Sequence, residues 1–122
     1  MLRILSASLL AALLAGGNAW AQRVLEPIES SYEVPLANVV MPSSTADTVI
    51  FTPCSGCDTT SLSVNASTTY FVDAKQYGFA DFIRSVKKIA DNGEENRTAV
   101  YIRYSVKDPH NITRLEVAVL GG

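Results

Sequence analysis

The stretch Ala99–Val119, AVYIRYSVKDPHNITRLEVAV, decides the fold. Val100, Ile102, Tyr104 and Val106 alternate with Ala99, Tyr101, Arg103 and Ser105. Leu115, Val117 and Val119 then alternate with Arg114, Glu116 and Ala118. Alternation with a period of two marks a half-buried strand. Between the runs, Asp108 and Pro109 are the residues that a type I turn favours at its first two positions. The two runs therefore read as an antiparallel hairpin. A loop centred on residues 108–111 pairs Tyr104 with Leu115, Ile102 with Val117 and Val100 with Val119. In that register the apolar residues share one face and Arg103 meets Glu116 on the other. A slip of one residue would turn one strand's apolar set to solvent.

Working back from the hairpin, Phe79, Phe82, Ile83, Val86, Ile89 and Ala90 recur at spacings of three and four. That spacing stacks them on one stripe of a helix, with Phe82 and Val86 facing the sheet. Asp81, Arg84, Lys87, Lys88 and Asp91 fall on the other side, and Asn92-Gly93 supplies the left-handed residue that closes many helices. Three strands precede it. Thr48–Thr52 is β-branched and aromatic and is stopped by Pro53. Leu62 and Val64 alternate with serines, and after a turn at Asn65–Ser67 the residues Thr68, Tyr70 and Val72 alternate with Thr69, Phe71 and Asp73. The order is three strands, one helix, two strands. It predicts an α+β fold: a small antiparallel five-stranded sheet, or an OB-like barrel, with one amphipathic helix between the third and fourth strands.

The chain opens with a different kind of segment. Arg3 is followed by an apolar run from Ile4 to Ala15, and Ala19-Trp20-Ala21 has the small-x-small form of a cleavage site. The run is too short for a bilayer-spanning helix, which needs about 20 apolar residues. Residues 1–21 are thus read as a cleaved export signal, which places the rest in the periplasm or outside the cell. No cysteine near the cleavage point offers a lipid attachment site, and no membrane insertion is expected after cleavage. Residues 22–45 hold Pro27, Pro35 and Pro42 and read as an acidic, extended segment, with Val34, Leu36, Val39, Val40 and Met41 apolar enough to dock. Residues 46–122 read as a single folded domain.

Without the signal the chain carries nine Lys and Arg against twelve Asp and Glu, a net charge of −3. That balance excludes a nucleic-acid partner, which demands a basic face to displace counterions. It equally excludes electrostatic attachment to a membrane surface.

The cysteines are Cys54 and Cys57, in the loop Cys54-Ser55-Gly56-Cys57. A haem attachment site needs His after the second cysteine, and Asp58 stands there. A structural zinc site needs four ligands, and His110 is the single histidine. A reactive thiol pair normally sits at a helix N-terminus. Here the following residues read as a strand, and a carboxylate beside Cys57 raises a thiol pKa. In an oxidising compartment the remaining reading is a structural disulfide closing a tight loop. The rival reading is a thiol–disulfide or metal-handling protein acting through Cys54 and Cys57, with copper or zinc as the metal.

Other chemistry is sparse. His110 lies beside Pro109 in the loop and lacks a nucleophile elbow to serve. The oxygen-rich residues 91–96 lack the alternating spacing of a calcium loop, and helix closure accounts for them. Three glycosylation sequons, at Asn65, Asn96 and Asn111, fall at predicted turns where asparagine is favoured anyway. Arg84, Lys87 and Lys88 are interleaved with acids and read as a solvated helix face. No cofactor motif and no catalytic set emerge. What remains is the outer face of the hairpin, Tyr101, Arg103, Arg114 and Glu116, residue types that recur in interaction hot spots. The sequence therefore predicts a non-enzymatic exported domain that binds a protein or small-molecule partner through that face.

Overall fold

The computed structural model describes residues 28–120. The predicted export signal and its cleavage point before Gln22 lie outside the described residues. The strands are β1 (Glu29–Pro35), β2 (Val39–Val40), β3 (Thr48–Phe51), β4 (Thr60–Ser63), β5 (Thr69–Val72), β6 (Lys75–Tyr77), β7 (Thr98–Ser105) and β8 (Asp108–Val119). One α-helix, α1 (Phe79–Asp91), separates β6 from β7, and short 3-10 turns cover Leu36–Asn38 and Glu95–Arg97.

The antiparallel five-stranded sheet, or OB-like barrel, is corrected by this arrangement. The eight strands form one mixed sheet that does not close, in the order β1-β7-β8-β4-β3-β2, with β5 and β6 branching from β8. Two pairings are parallel: β5 with β8 from Thr69↔Arg114 to Val72↔Val117, and β4 with β8 at Ser63↔Asn111. The cause is the path of the chain. After β5 and β6 it crosses through α1 to β7, skipping one sheet position, and the hairpin returns β8 into the gap. β8 thus runs antiparallel to β7 and parallel to β5. Alternation tells which face a residue takes; it is silent on which strand lies alongside.

The hairpin itself forms, in a register different from the one expected. Val100 faces Val117, Ile102 faces Leu115, Tyr101 faces Glu116 and Arg103 faces Arg114. The reversal falls at Val106 and Lys107 rather than around Pro109, and irregularities on either side of Tyr104 take up the four extra residues of β8. From Thr98 to Arg103 the displacement is two residues, so the side chains there keep their expected faces. Val106, expected inward, is exposed in the turn, and the irregular register brings Ile112 into the core. Face parity was specified by the apolar pattern; the pairing partner depended on where the turn formed.

Helix α1 buries Phe82, Val86 and Ile89, as its stripe requires. It packs over β5, where the Tyr70 ring meets those of Phe79 and Phe82 at 5.4 and 5.1 Å. Gly93, at φ +74°, ends it in the left-handed conformation. The Glu94 N–H then reaches back to the Ile89 carbonyl, and the Gly93 N–H to that of Ala90.

β4 and β5 follow one another along the same edge of β8, and the break between them is closed by Thr68. Its buried hydroxyl donates to the Ile112 carbonyl (2.7 Å) and accepts from the Asn65 N–H (3.0 Å). The core on the inner face gathers Val34, Val49, Phe51, Val100, Ile102, Ile112, Leu115, Val117 and Phe82.

β1 and β2 stand at opposite ends of the sheet path, yet only Leu36–Asn38 connects them. Each residue spans at most about 3.6 Å, so the sheet has to curl until its ends approach. Tyr32 of β1 accordingly touches Phe51 of β3 across the interior, ring centroids 5.0 Å apart. An unpaired seam is left between the two ends.

Candidate functional site

The four outer-face residues predicted from the sequence come together on one surface. β7 and β8 set them in two adjacent cross-strand rows, and the flanking strands extend those rows. Glu33, Tyr101, Glu116, Phe71 and Gln76 form one row across five strands; Ser31, Arg103, Arg114 and Thr69 form the next. Because β5 is parallel to β8, Phe71 lands beside Glu116, a neighbour that alternation within single strands could not disclose.

Arg114 is the most constrained of the set. Its guanidinium lies 3.6 Å from the centre of the Phe71 ring, and Nη2 donates to Glu116 Oε1 at 2.7 Å. Both side chains of that ion pair are largely covered, 31% and 19% exposed. Arg114 Nε is buried without a hydrogen-bond partner among the described residues. Arg103, directly across, is more open and lies 3.8 Å from Glu29. Two arginines in direct cross-strand register repel each other, a cost that their carboxylate neighbours offset. The Tyr101 hydroxyl donates to Glu33, which holds its pKa above the ordinary phenol value, and the charges of Glu33 and Glu116 push in the same direction. The face therefore presents aromatic rings and guanidinium groups already held in place by carboxylates.

Cys54 and Cys57 form a disulfide, with their Cα atoms 5.1 Å apart. It sits at the tip of the loop joining β3 to β4, and both residues are exposed. The Cys57 N–H closes the turn on the Cys54 carbonyl (3.1 Å), and Gly56 takes φ +83° at the third position, the conformation a type II turn demands there. Beside the disulfide lies a cleft of about 520 Å³ bounded by Glu33–Pro35, Asn38 and residues 52–56. It occupies the seam between the ends of the sheet. Cys54 borders it; Cys57 does not. The sequence reading had no means of finding this cleft, because its walls come from segments brought together only when the sheet curls.

His110 is exposed near the start of β8. Among the described residues no group of three or more His, Cys, Asp or Glu side chains sits close enough to hold a metal ion. Of the sequon residues, Asn65 and Asn96 are exposed and Asn111 is half-buried. No helix among the described residues is long and apolar enough to cross a membrane. No protein-family model matches the chain, and comparison with curated proteins and with solved structures finds no match.

Proposed function

We propose that the chain is a small exported domain, periplasmic or secreted, that works by binding a protein partner through the outer face of its sheet rather than by catalysis. The observation that supports this reading is the clustering of Phe71, Tyr101, Arg103, Arg114 and Glu116 in two neighbouring rows on the face opposite the core. Arginines and tyrosines supply large contact areas with oriented donors, and groups already immobilised lose little further entropy on binding. Export is supported by the leader over residues 1–21 and by the presence of the disulfide, a bond favoured in oxidising compartments.

The test uses the exported chain as bait on the envelope fraction. Intact-mass measurement should first show the bait beginning at Gln22. Arg103→Glu combined with Tyr101→Ala should abolish capture of any specific partner while the far-UV circular dichroism stays that of the folded protein. Lys87→Ala with Lys88→Ala, on the helix, should leave capture intact. Equal capture by all three proteins would refute the outer face as the binding surface.

A second reading, thiol–disulfide exchange through Cys54 and Cys57, is favoured by the exposure of the pair and by the cleft beside Cys54. Exposed disulfides are more easily reduced than buried ones. Thiol titration of the native protein before and after mild reductant tests it: rapid, reversible opening supports exchange, and a bond that resists supports a purely structural staple.

A further inference from the structure

The cleft beside Cys54 joins two features that the fold does not otherwise use. One is the free edge of β1, which among the described residues pairs only with β7 and leaves its other row of backbone groups without a strand partner. An open strand edge accepts an extended peptide through main-chain hydrogen bonds. The other is the disulfide, whose Cys54 borders the same cleft through which such a peptide would run. Pro35 and Pro53 give the walls apolar surface, and Asn38, Thr52 and Ser55 add side chains that can hydrogen-bond.

We infer that this cleft docks an extended, cysteine-bearing peptide and presents its thiol to Cys54. The inference rests on the exchange reading of the pair and adds to it a substrate class and a point of attack. The peptide thiolate forms a bond to Cys54 Sγ; the Cys54–Cys57 bond breaks, and its electron pair leaves on Cys57 Sγ, which takes a proton from solvent. A second thiol of the peptide then attacks its own sulfur in the mixed disulfide and releases Cys54 as a thiolate, which is protonated in turn. The peptide dithiol is oxidised to a disulfide while the protein disulfide is reduced to two thiols. Cys54 is the entry sulfur because it belongs to the cleft lining, and Cys57 is the leaving group because it does not.

The experiment mixes the oxidised exported chain with a short unstructured peptide carrying one cysteine, or with free mercaptoethanol at equal thiolate concentration. Reactions are quenched with acid, free thiols are blocked with N-ethylmaleimide, and the products are mapped by mass spectrometry. The peptide should be found on Cys54 and the maleimide on Cys57, and the peptide should react faster than mercaptoethanol. Asn38→Trp, which fills the cleft from an exposed position, should slow the peptide by on the order of tenfold, the factor lost with about 1.4 kcal/mol of contact, and leave the mercaptoethanol rate unchanged. An adduct on Cys57, an even split, or indifference to Asn38→Trp would overturn the cleft while leaving exchange itself standing. No adduct with either thiol would overturn both. The mapping needs no variant, so it decides the point of attack even if Asn38→Trp misfolds.

Discussion

Ala74 is held where alanine is uncomfortable. The turn between β5 and β6 places Asp73 at φ +48° and Ala74 at φ +69°, the doubly left-handed conformation of a type I′ hairpin. Asp73 is suited to it and is tied down. Its N–H donates to the Val117 carbonyl (2.9 Å), and its carboxylate accepts from the Val119 N–H (3.0 Å). Ala74 has no such compensation, and its Cβ is strained there. Ala74→Gly should therefore stabilise the protein by about 0.5–1 kcal/mol, the relief of strain exceeding the extra chain entropy of glycine. Urea unfolding of the two proteins measures it; a lower midpoint for the glycine variant would show that the turn is not strained. The sequence hid this hairpin because glycine, its usual signature, stands at neither central position.

The elements differ sharply in what holds them. In α1, Phe82 is fully buried against Tyr70 while Lys87 is exposed. Phe82→Ala should cost about 3–5 kcal/mol through lost burial and the cavity left behind, whereas Lys87→Ala should change stability by less than about 0.5 kcal/mol. Thermal denaturation of both variants checks the contrast, and comparable losses would mean that the packed face has been misassigned. The β3–β4 loop is held differently. Its disulfide closes so short a ring that the chain-entropy contribution is about 2 kcal/mol or less, and Gly56 with the Cys57–Cys54 backbone bond already favours the turn. Replacing both cysteines with serine should lower the urea midpoint modestly and leave the far-UV circular dichroism unchanged. Loss of the folded spectrum would show that the loop organises the sheet around it.

At the scale of the whole molecule, the curled sheet encloses tyrosines whose ionisation opposes folding. Burial pushes Tyr70 and Tyr32 above the ordinary value of 10.0, and for Tyr32 the neighbouring Tyr104 adds to the shift. Tyr101 is raised through its bond to Glu33. In each case the folded state holds the proton more tightly than the unfolded chain does. The stabilisation is therefore fully present below about pH 10 and is lost as pH rises through the higher folded values. Urea midpoints should stay flat up to about pH 10 and fall beyond it, in step with the tyrosinate absorbance. Tyr70→Phe should lessen that fall at no cost near neutrality, because the Tyr70 hydroxyl is buried without a partner among the described residues. A flat profile to the highest pH would contradict the burial of Tyr70 and Tyr32 and the bond from Tyr101 to Glu33.

What the sequence determined by itself is local and periodic. The stripe on α1, its closure at Asn92-Gly93, the inward sets of β4, β5 and β7, and Leu115 and Val117 of β8 were legible, because side-chain direction follows from a period of two or 3.6. So was the placing of Tyr101, Arg103, Arg114 and Glu116 on one face, which survived a two-residue shift in register because parity did. Strand partnership was decided only by the tertiary structure. β5 lies parallel to β8 because the hairpin inserts beside it, and that juxtaposition brings Phe71 beneath Arg114. The seam beside Cys54 exists because Leu36–Asn38 is short enough to pull the ends of the sheet together. Such contacts join residues tens of positions apart, where loop closure and packing set the outcome and no local pattern records it.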